Sequence, residues 1–290
     1  MADGVSRLAR SIELIAASGK VLRSDKELLV LPLLSGLASL VVIAGFGFGA
    51  WRGGLVDQIP QNSEALPLTP ALYVWLFCLY FAEYFVIIFF NTALVGAAIA
   101  KLAGGEVTIG SALSLAMNRI GPILGYALVS ATVGIILRQI AERFGFVGRL
   151  VESVFGLMWT VATFLVVPIL AAEGIGPIKA IRRSAAMLGE TWGENLIGNA
   201  GISVATGLVA AVVVFAGIGT GMVAIDTHHL VLGAALVASG ALLLLALVLV
   251  SSALSGIYAG ALYYFALTGK TPDGFEGTTL RSAFSPRAAS

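Results

Sequence analysis

The stretch LVLGAALVASGALLLLALVLVSSALSGIYAGALYYFAL, residues 230–267, decides the fold. It contains no charged residue, and it exceeds the about 20 apolar residues that an α-helix needs to cross the bilayer core. Because hydrocarbon offers no water to bond the peptide groups, a segment of this kind has to be helical. The stretch therefore predicts a transmembrane helix that tilts or emerges beyond the lipid.

Working outward from this stretch, five further apolar segments are long enough to span a membrane. They cover approximately residues 28–51, 72–99, 121–140, 150–172 and 197–225. Of the whole chain, 58% is hydrophobic and only 11% is charged, whereas a soluble domain carries about 25% charged residues. The sequence therefore predicts an all-α integral membrane protein with six transmembrane helices, in one polytopic domain over residues 1–290.

The lysines and arginines divide unevenly between the two sides that these spans define. Of the 17 basic residues, four fall on one side: Arg52, Arg138, Arg143 and Arg149. The remaining thirteen fall on the other: Arg7, Arg10, Lys20, Arg23, Lys26, Lys101, Arg119, Lys179, Arg182, Arg183, Lys270, Arg281 and Arg287. Because cytoplasmic loops carry the excess of Lys and Arg, this count predicts a multi-pass protein of the cell (inner or plasma) membrane with both termini in the cytoplasm.

The joints on the predicted cytoplasmic side contain amphipathic segments. Apolar residues recur at helical spacing within residues 5–22 and 109–120, and again from residue 178 to residue 192. In the third segment the stripe comprises Ile178, Ile181, Ala185, Leu188 and Trp192, while Lys179, Arg182 and Arg183 lie off it. We expect these three basic residues either to serve only topology or to contact anionic lipid headgroups, which makes membrane lipids the predicted partners.

The amphipathic segments give the chain a period. An interfacial helix followed by two spans occurs three times, in quasi-repeated units over about residues 5–102, 106–172 and 174–268. The remaining residues, 269–290, are predicted to form a cytoplasmic tail.

Three stretches carry a resemblance to a known group. They are FFNTALVGAAIAKLAGGEVTIGSAL (residues 89–113), VVPILAAEGIGPIKAIRRSAAML (166–188) and YAGALYYFALTGKTPDGF (258–275). These stretches resemble an uncharacterised prokaryotic family of six-helix integral membrane proteins, a domain of unknown function. That family is similar in layout to the membrane domain attached to some glycerophosphodiester phosphodiesterases. The resemblance implies the membrane fold and carries over no catalytic residue, and no phosphodiesterase domain is expected in this chain.

Glu83 and Asn91 are the candidate intramembrane polar site. Glu83 lies in the middle of the second predicted span, and Asn91 follows eight residues later on the same helical face. Placing a charged side chain at the centre of a bilayer costs about 3 kcal/mol on insertion scales, and such residues concentrate at functional sites. Glu83 is thus either a proton or cation site or a neutral carboxyl group bonded to a hydroxyl on a neighbouring span.

Metal and nucleophile chemistry have weaker signals. Asp226, His228 and His229 share the turn between the last two spans, but no third spaced ligand accompanies the histidines, so a solvated hairpin is predicted there. Cys78 is the only cysteine. We predict no metal, no cofactor, no nucleic-acid partner and no enzymatic activity.

Two function classes remain open. The first is a scaffold or accessory membrane protein that interacts with lipids. The second is a small-solute or ion transporter in which Glu83 and Asn91 line the path. Glycines four residues apart, Gly121 and Gly125 or Gly217 and Gly221, allow close helix packing, which serves one bundle, a homo-oligomer or a membrane-protein partner equally well.

Overall fold

The computed structural model describes residues 17–22, 26–55, 69–191, 206–227, 229–272 and 275. These residues form helices and turns, and no strand occurs among them. A 3₁₀ turn at Lys26–Leu29 leads into the first long helix, and the fifth span has helical residues 206–213 and a π-helical segment, Val214–Gly219, ahead of its last helix. The helices are α1 (Val30–Arg52), α2 (Pro70–Leu102), α3 (Ile109–Asn118), α4 (Ile120–Arg143), α5 (Gly145–Thr163), α6 (Val166–Glu173), α7 (Pro177–Thr191), α8 (Thr220–Asp226) and α9 (Leu230–Thr268).

The predicted all-α membrane fold is confirmed. Among the described residues, six helical segments are long and apolar enough to cross a membrane: Glu27–Arg52, Pro70–Leu102, Ile120–Arg143, Gly145–Glu173, Thr206–Ala224 and Leu230–Thr268. Each overlaps one of the six predicted spans. Several predicted features lie outside the described residues, namely most of the first amphipathic segment, the start of the fifth span, Trp192, His228 and the tail after residue 275.

The described chain divides into two compact units. One comprises residues 33–97 and 107–188, and its fully buried side chains include Leu94, Ile123, Leu165 and Ile169. The other takes its described residues from 1–32, 98–106 and 189–290, and buries Tyr258, Leu262 and Tyr263 of α9. This division follows packing, and the threefold repeat stays a prediction.

The fourth span is broken at Phe164 and Leu165, between α5 and α6. Pro168 explains the position of the break. It has no N–H to donate to the carbonyl group of Phe164, four residues earlier, and its ring crowds that carbonyl. At the break itself, the Phe164 N–H donates to the Val161 carbonyl oxygen, at 3.2 Å, in a turn that is tighter than that of an α-helix.

Small residues bring the two arms of the last hairpin close together. A Cβ atom at Gly221 would lie 2.8 Å from a Val237 methyl carbon and 2.9 Å from the Gly233 carbonyl oxygen. A Cβ atom at Gly217 would lie 3.4 Å from the Cα atom of Gly240. The predicted close approach at Gly217 and Gly221 is therefore present, next to the π-helical segment.

The other glycine pair behaves differently. A Cβ atom at Gly125 would lie 2.9 Å from a ring carbon of Pro177, at the start of α7, but nothing lies within 4 Å of such an atom at Gly121. Of this pair, only Gly125 therefore serves close packing.

Candidate functional site

A chain of polar side chains runs along α4 within the unit of residues 33–97 and 107–188. Near the C-terminal end of α4, the Arg138 guanidinium donates from Nη1 to the Tyr80 hydroxyl, at 2.9 Å, and from Nε to Glu142 Oε1, at 2.8 Å. The Arg138 and Glu142 side chains are about half exposed. Arg138 lies inside α4, five residues before the helix ends, and joins that helix to α2.

The same stripe continues toward the N-terminal end of α4 at intervals of four residues. Tyr126, Ser130 and Gly134 precede Arg138 on this stripe. The Tyr84 hydroxyl occupies the space above Gly134, 3.4 Å from where a Cβ atom would stand. A methyl group at this position would be in van der Waals contact with the tyrosine, so this part of α4 packs directly on a polar group from α2.

The other end of this chain of polar groups is the Tyr126 hydroxyl, near the start of α4. It lies within interaction range of the Ser130 and Thr163 side chains and of Tyr84, which in turn lies near Tyr80. The Thr163 hydroxyl donates its proton to the Trp159 carbonyl oxygen, at 2.7 Å. From Tyr126 to Glu142 the polar groups extend over about 24 Å of helix axis. This polar chain is built from α2, α4 and α5.

Glu83 lies on α2 between Tyr80 and Tyr84. Its Oε1 atom is buried and has no hydrogen-bond partner, and the side chain as a whole is half-buried, as is that of Asn91. At 100° per residue, Asn91 projects within about 20° of Tyr80 and Glu83 about 60° to the other side. The predicted pair therefore shares a broad face of α2 with the tyrosines of the polar chain.

Sequence reasoning identified Glu83 and Asn91 but missed the rest of this chain. The missing residues are Tyr80, Tyr84, Tyr126, Ser130, Arg138, Glu142 and Thr163. A usable signal was the series of positions 126, 130, 134, 138 and 142, which are four residues apart on a largely apolar helix and hold glycine or residues with polar groups.

The break in the fourth span adjoins the Tyr126 end of the polar chain, because Thr163, which belongs to that end, is the last residue of α5. The break frees the Leu165 N–H, which donates to the Ser184 hydroxyl of α7 at 3.1 Å. Ser184 and Leu165 are both fully buried. A side chain of α7 thus replaces the backbone acceptor that the interrupted helix lacks.

Helix α7 presents the predicted headgroup-contact residues on its exposed surface. Ala180, Ser184 and Leu188, four residues apart, are buried and fix the helix to its unit. Lys179, Arg182 and Arg183 are exposed. We call the exposed surface formed by Lys179, Arg182 and Ile178 the α7 ledge.

Ion pairing distinguishes Arg183 from the other two basic residues. Its Nε atom lies 2.6 Å from Glu173 Oε1. In the described part of the chain, neither Lys179 nor Arg182 pairs with a carboxylate. The basic charge left for an external partner on α7 is therefore that of Lys179 and Arg182.

A cleft of about 440 Å³ lies along α3, lined by Ser111, Ser114, Leu115, Asn118 and Arg119. The helix begins with a capping box in which the Thr108 and Ser111 hydroxyls accept each other's backbone N–H groups. Arg119, at the junction with α4, packs its guanidinium on the backbone of Gly174, where a Cβ atom would overlap it. The cleft thus combines one cation with hydroxyl and amide groups.

The turn that carries Asp226 and His229 is exposed. Among the described residues, which exclude His228, no group of three His, Cys, Asp or Glu side chains comes together in a way that could hold a metal ion. Cys78 is a free, exposed cysteine.

A protein-family model described as a family of unknown function, DUF6159, matches residues 70–275 of the chain. The match includes every residue of the polar chain, the α7 ledge and the cleft along α3. No curated protein matches the chain.

Proposed function

The chain belongs to DUF6159, a family of unknown function, and from this premise we propose that it is an integral membrane protein that binds anionic lipid headgroups through the α7 ledge. The proposed setting is the cell membrane, with the ledge and both termini on the cytoplasmic side.

The observation that carries this proposal is that α7 has one buried side and one exposed side. The buried side, with Ala180 and Ser184, packs against the protein. On the exposed side Ile178, of which 53% is accessible, adjoins the basic residues Lys179 and Arg182. A surface that is both apolar and basic suits the boundary between acyl chains and headgroups.

The charges on the ledge favour anionic lipid. A basic residue near an anionic membrane surface contributes about 1 kcal/mol of attraction. Because α7 is held in place by its buried face, Lys179 and Arg182 are presented together without ordering a flexible segment. Arg183 contributes less, since Glu173 offsets its charge.

Charge reversal at the ledge tests the proposal. We expect Lys179→Glu combined with Arg182→Glu to lower the anionic lipid that co-purifies with the protein, as measured by lipid mass spectrometry. The matched control is Arg143→Glu combined with Arg149→Glu, which reverses two exposed arginines elsewhere. Equal anionic lipid in both double variants and the wild-type chain contradicts the proposal.

A second candidate function, transport of a small solute or ion, is favoured by Glu83. A buried carboxylate oxygen without a partner inside a span is costly, and the polar chain beside it continues to a broken helix. Discontinuous spans and intramembrane ionisable groups accompany substrate and ion sites in transporters. In this candidate, Glu83 and Asn91 line the path.

The transport candidate is tested in vesicles. The purified chain, reconstituted with an enclosed pH-sensitive dye, should dissipate an imposed proton or monovalent-cation gradient. Glu83→Gln should abolish the flux, whereas Glu106→Gln, at an exposed position, should preserve it. Flux that is equal with Glu83→Gln and with the wild-type chain excludes this role for Glu83.

The proposal assigns the chain no enzymatic activity and no cofactor. Lipids are the proposed partners, together with a second copy of the chain or another membrane protein. The layout shared with the membrane domain of some glycerophosphodiester phosphodiesterases stays a prediction.

A further inference from the structure

We infer that the cleft along α3 is a binding site for a phosphate group, with Arg119 as its cation. The inference rests on the proposed lipid binding only in taking a phospholipid as one source of that group. It concerns a cleft on α3, separate from the residues of the α7 ledge.

The first argument is the charge of the lining. Arg119 is the one charged residue among the five that line the cleft, and the other four are Ser111, Ser114, Leu115 and Asn118. Within the described ranges, Arg119 forms no ion pair with a carboxylate. A guanidinium that no acid offsets, in a cleft without acidic side chains, favours an anion, and its planar array of donors matches phosphate oxygens.

The second argument is the arrangement of neutral donors. Ser111, Ser114 and Asn118 follow the spacing of one helical face, so their polar groups line one wall of the cleft. Ser111 already serves the capping box, where its hydroxyl donates to the Thr108 carbonyl oxygen at 2.8 Å. The Ser114 hydroxyl and the Asn118 amide are therefore the neutral donors for bound oxygens.

The third argument is that Arg119 is positioned before any ligand arrives. Its guanidinium packs on Gly174, a left-handed residue (φ +61°) where any side chain would displace it. Leu115 is fixed as well, because its methyl groups lie against Gly96 of α2, 2.9 Å from where a Cβ atom would stand. A preset cation and wall reduce the ordering that binding requires.

The fourth argument concerns size and place. A volume of about 440 Å³ falls within the ~300–1,000 Å³ typical of small-molecule sites. Arg119 directly precedes Ile120, the first residue of a span, and lipid phosphates lie at that depth. Leu115 adds an apolar contact next to the donors, as a phosphodiester with attached acyl chains requires.

The experiment uses the full chain, purified in neutral detergent and freed of lipid. Its thermal unfolding midpoint is followed while phosphatidylglycerol, phosphatidylcholine or inorganic phosphate is added, since a ligand that binds only the folded state raises the midpoint with concentration. We expect phosphatidylglycerol to raise it, and Arg119→Gln to weaken that binding by roughly tenfold or more, as loss of a charge-assisted contact predicts.

Asn118→Asp is the decisive variant, because it places a negative charge in the cleft and leaves the packing of Arg119 on Gly174 intact. It should weaken binding at least as much as Arg119→Gln does. The matched controls are Gln139→Glu, the same change of amide to acid at an exposed site on α4, and Arg149→Gln, a charge removal at an exposed site on α5. Neither control should change the affinity.

Unchanged affinity with Asn118→Asp overturns the inference, even where Arg119→Gln fails to fold. An equal response to inorganic phosphate supports the site and overturns a lipid source. Lys179→Glu with Arg182→Glu, run in the same assay, separates the two proposals. Loss with this ledge variant alone rejects the cleft and retains the ledge, and loss with Asn118→Asp alone does the reverse.

Discussion

At the scale of single residues, the broken span depends on Ser184. Its hydroxyl accepts from the Leu165 N–H at 3.1 Å in a fully buried setting. This bond replaces the backbone hydrogen bond that the Leu165 N–H loses where the helix is interrupted. The sequence around Ser184 does not predict that it accepts this hydrogen bond, because the donor lies 19 residues away and is identified only by the packing of α7.

We expect Ser184→Ala to destabilise the protein by about 1–3 kcal/mol, because it leaves a buried N–H without an acceptor. The measurement is the unfolding midpoint in detergent. Ser153→Ala, at an exposed position of α5, is the control and should leave the midpoint unchanged. A Ser184→Ala midpoint equal to that of the wild-type chain contradicts the role.

Gly174 is the second residue whose identity the structure explains. We expect Gly174→Ala to cost about 1–2 kcal/mol for the left-handed backbone and more for displacing Arg119. Gly269→Ala separates these costs, because Gly269 also ends a helix in the left-handed region (φ +65°) but has nothing within 4 Å of a Cβ atom. Equal losses of stability in the two variants would show that the Arg119 contact contributes nothing.

At the scale of elements, hydropathy located the spans well and their interruptions poorly. Pro168 lies inside the fourth predicted span, residues 150–172, which hydropathy presents as one uninterrupted segment. The structure places a two-residue break there, since the missing N–H and the nearby Ser184 act together. The polar chain was missed for a similar reason, because Tyr80 and Arg138 become neighbours only when α2 packs on α4.

The last hairpin provides a prediction at this scale. Gly221→Ala should lower stability by about 1–3 kcal/mol, because the added methyl group meets backbone atoms of α9 that cannot move aside. Gly207→Ala, in the same span but with nothing within 4 Å, should be neutral or slightly stabilising. Thermal unfolding of both variants in detergent distinguishes close helix packing from mere helix propensity.

At the scale of the whole molecule, composition alone predicted the all-α membrane fold, because few charges and six long apolar runs permit no soluble alternative. The orientation depends on the positions of the basic residues. The four basic residues of the opposite side, Arg52, Arg138, Arg143 and Arg149, all lie within helices near their ends, and the orientation stays a prediction. Residues of the candidate site were only partly predictable, since hydropathy identifies a charge in a span but not its neighbours.

The orientation gives the prediction for the whole chain. A reporter that is active only in the cytoplasm, fused after Ser290, should be active, and the same reporter inserted after Gly54, in the joint between α1 and α2, should be silent. The opposite pattern reverses the topology and moves the α7 ledge to the other leaflet.

The length of α9 determines which bilayer thickness matches the apolar surface of the protein. The helix has 39 residues, about 58 Å, and its side chains change from mostly exposed before residue 251 to mostly buried from Ala253 to Phe265. The exposed part, residues 230–250, measures about 32 Å, close to the ~30 Å thickness of a typical hydrocarbon layer. A thinner bilayer leaves apolar surface in water unless the helix leans. Lipid chain length is therefore a physical variable to which this protein should respond, through hydrophobic matching along α9.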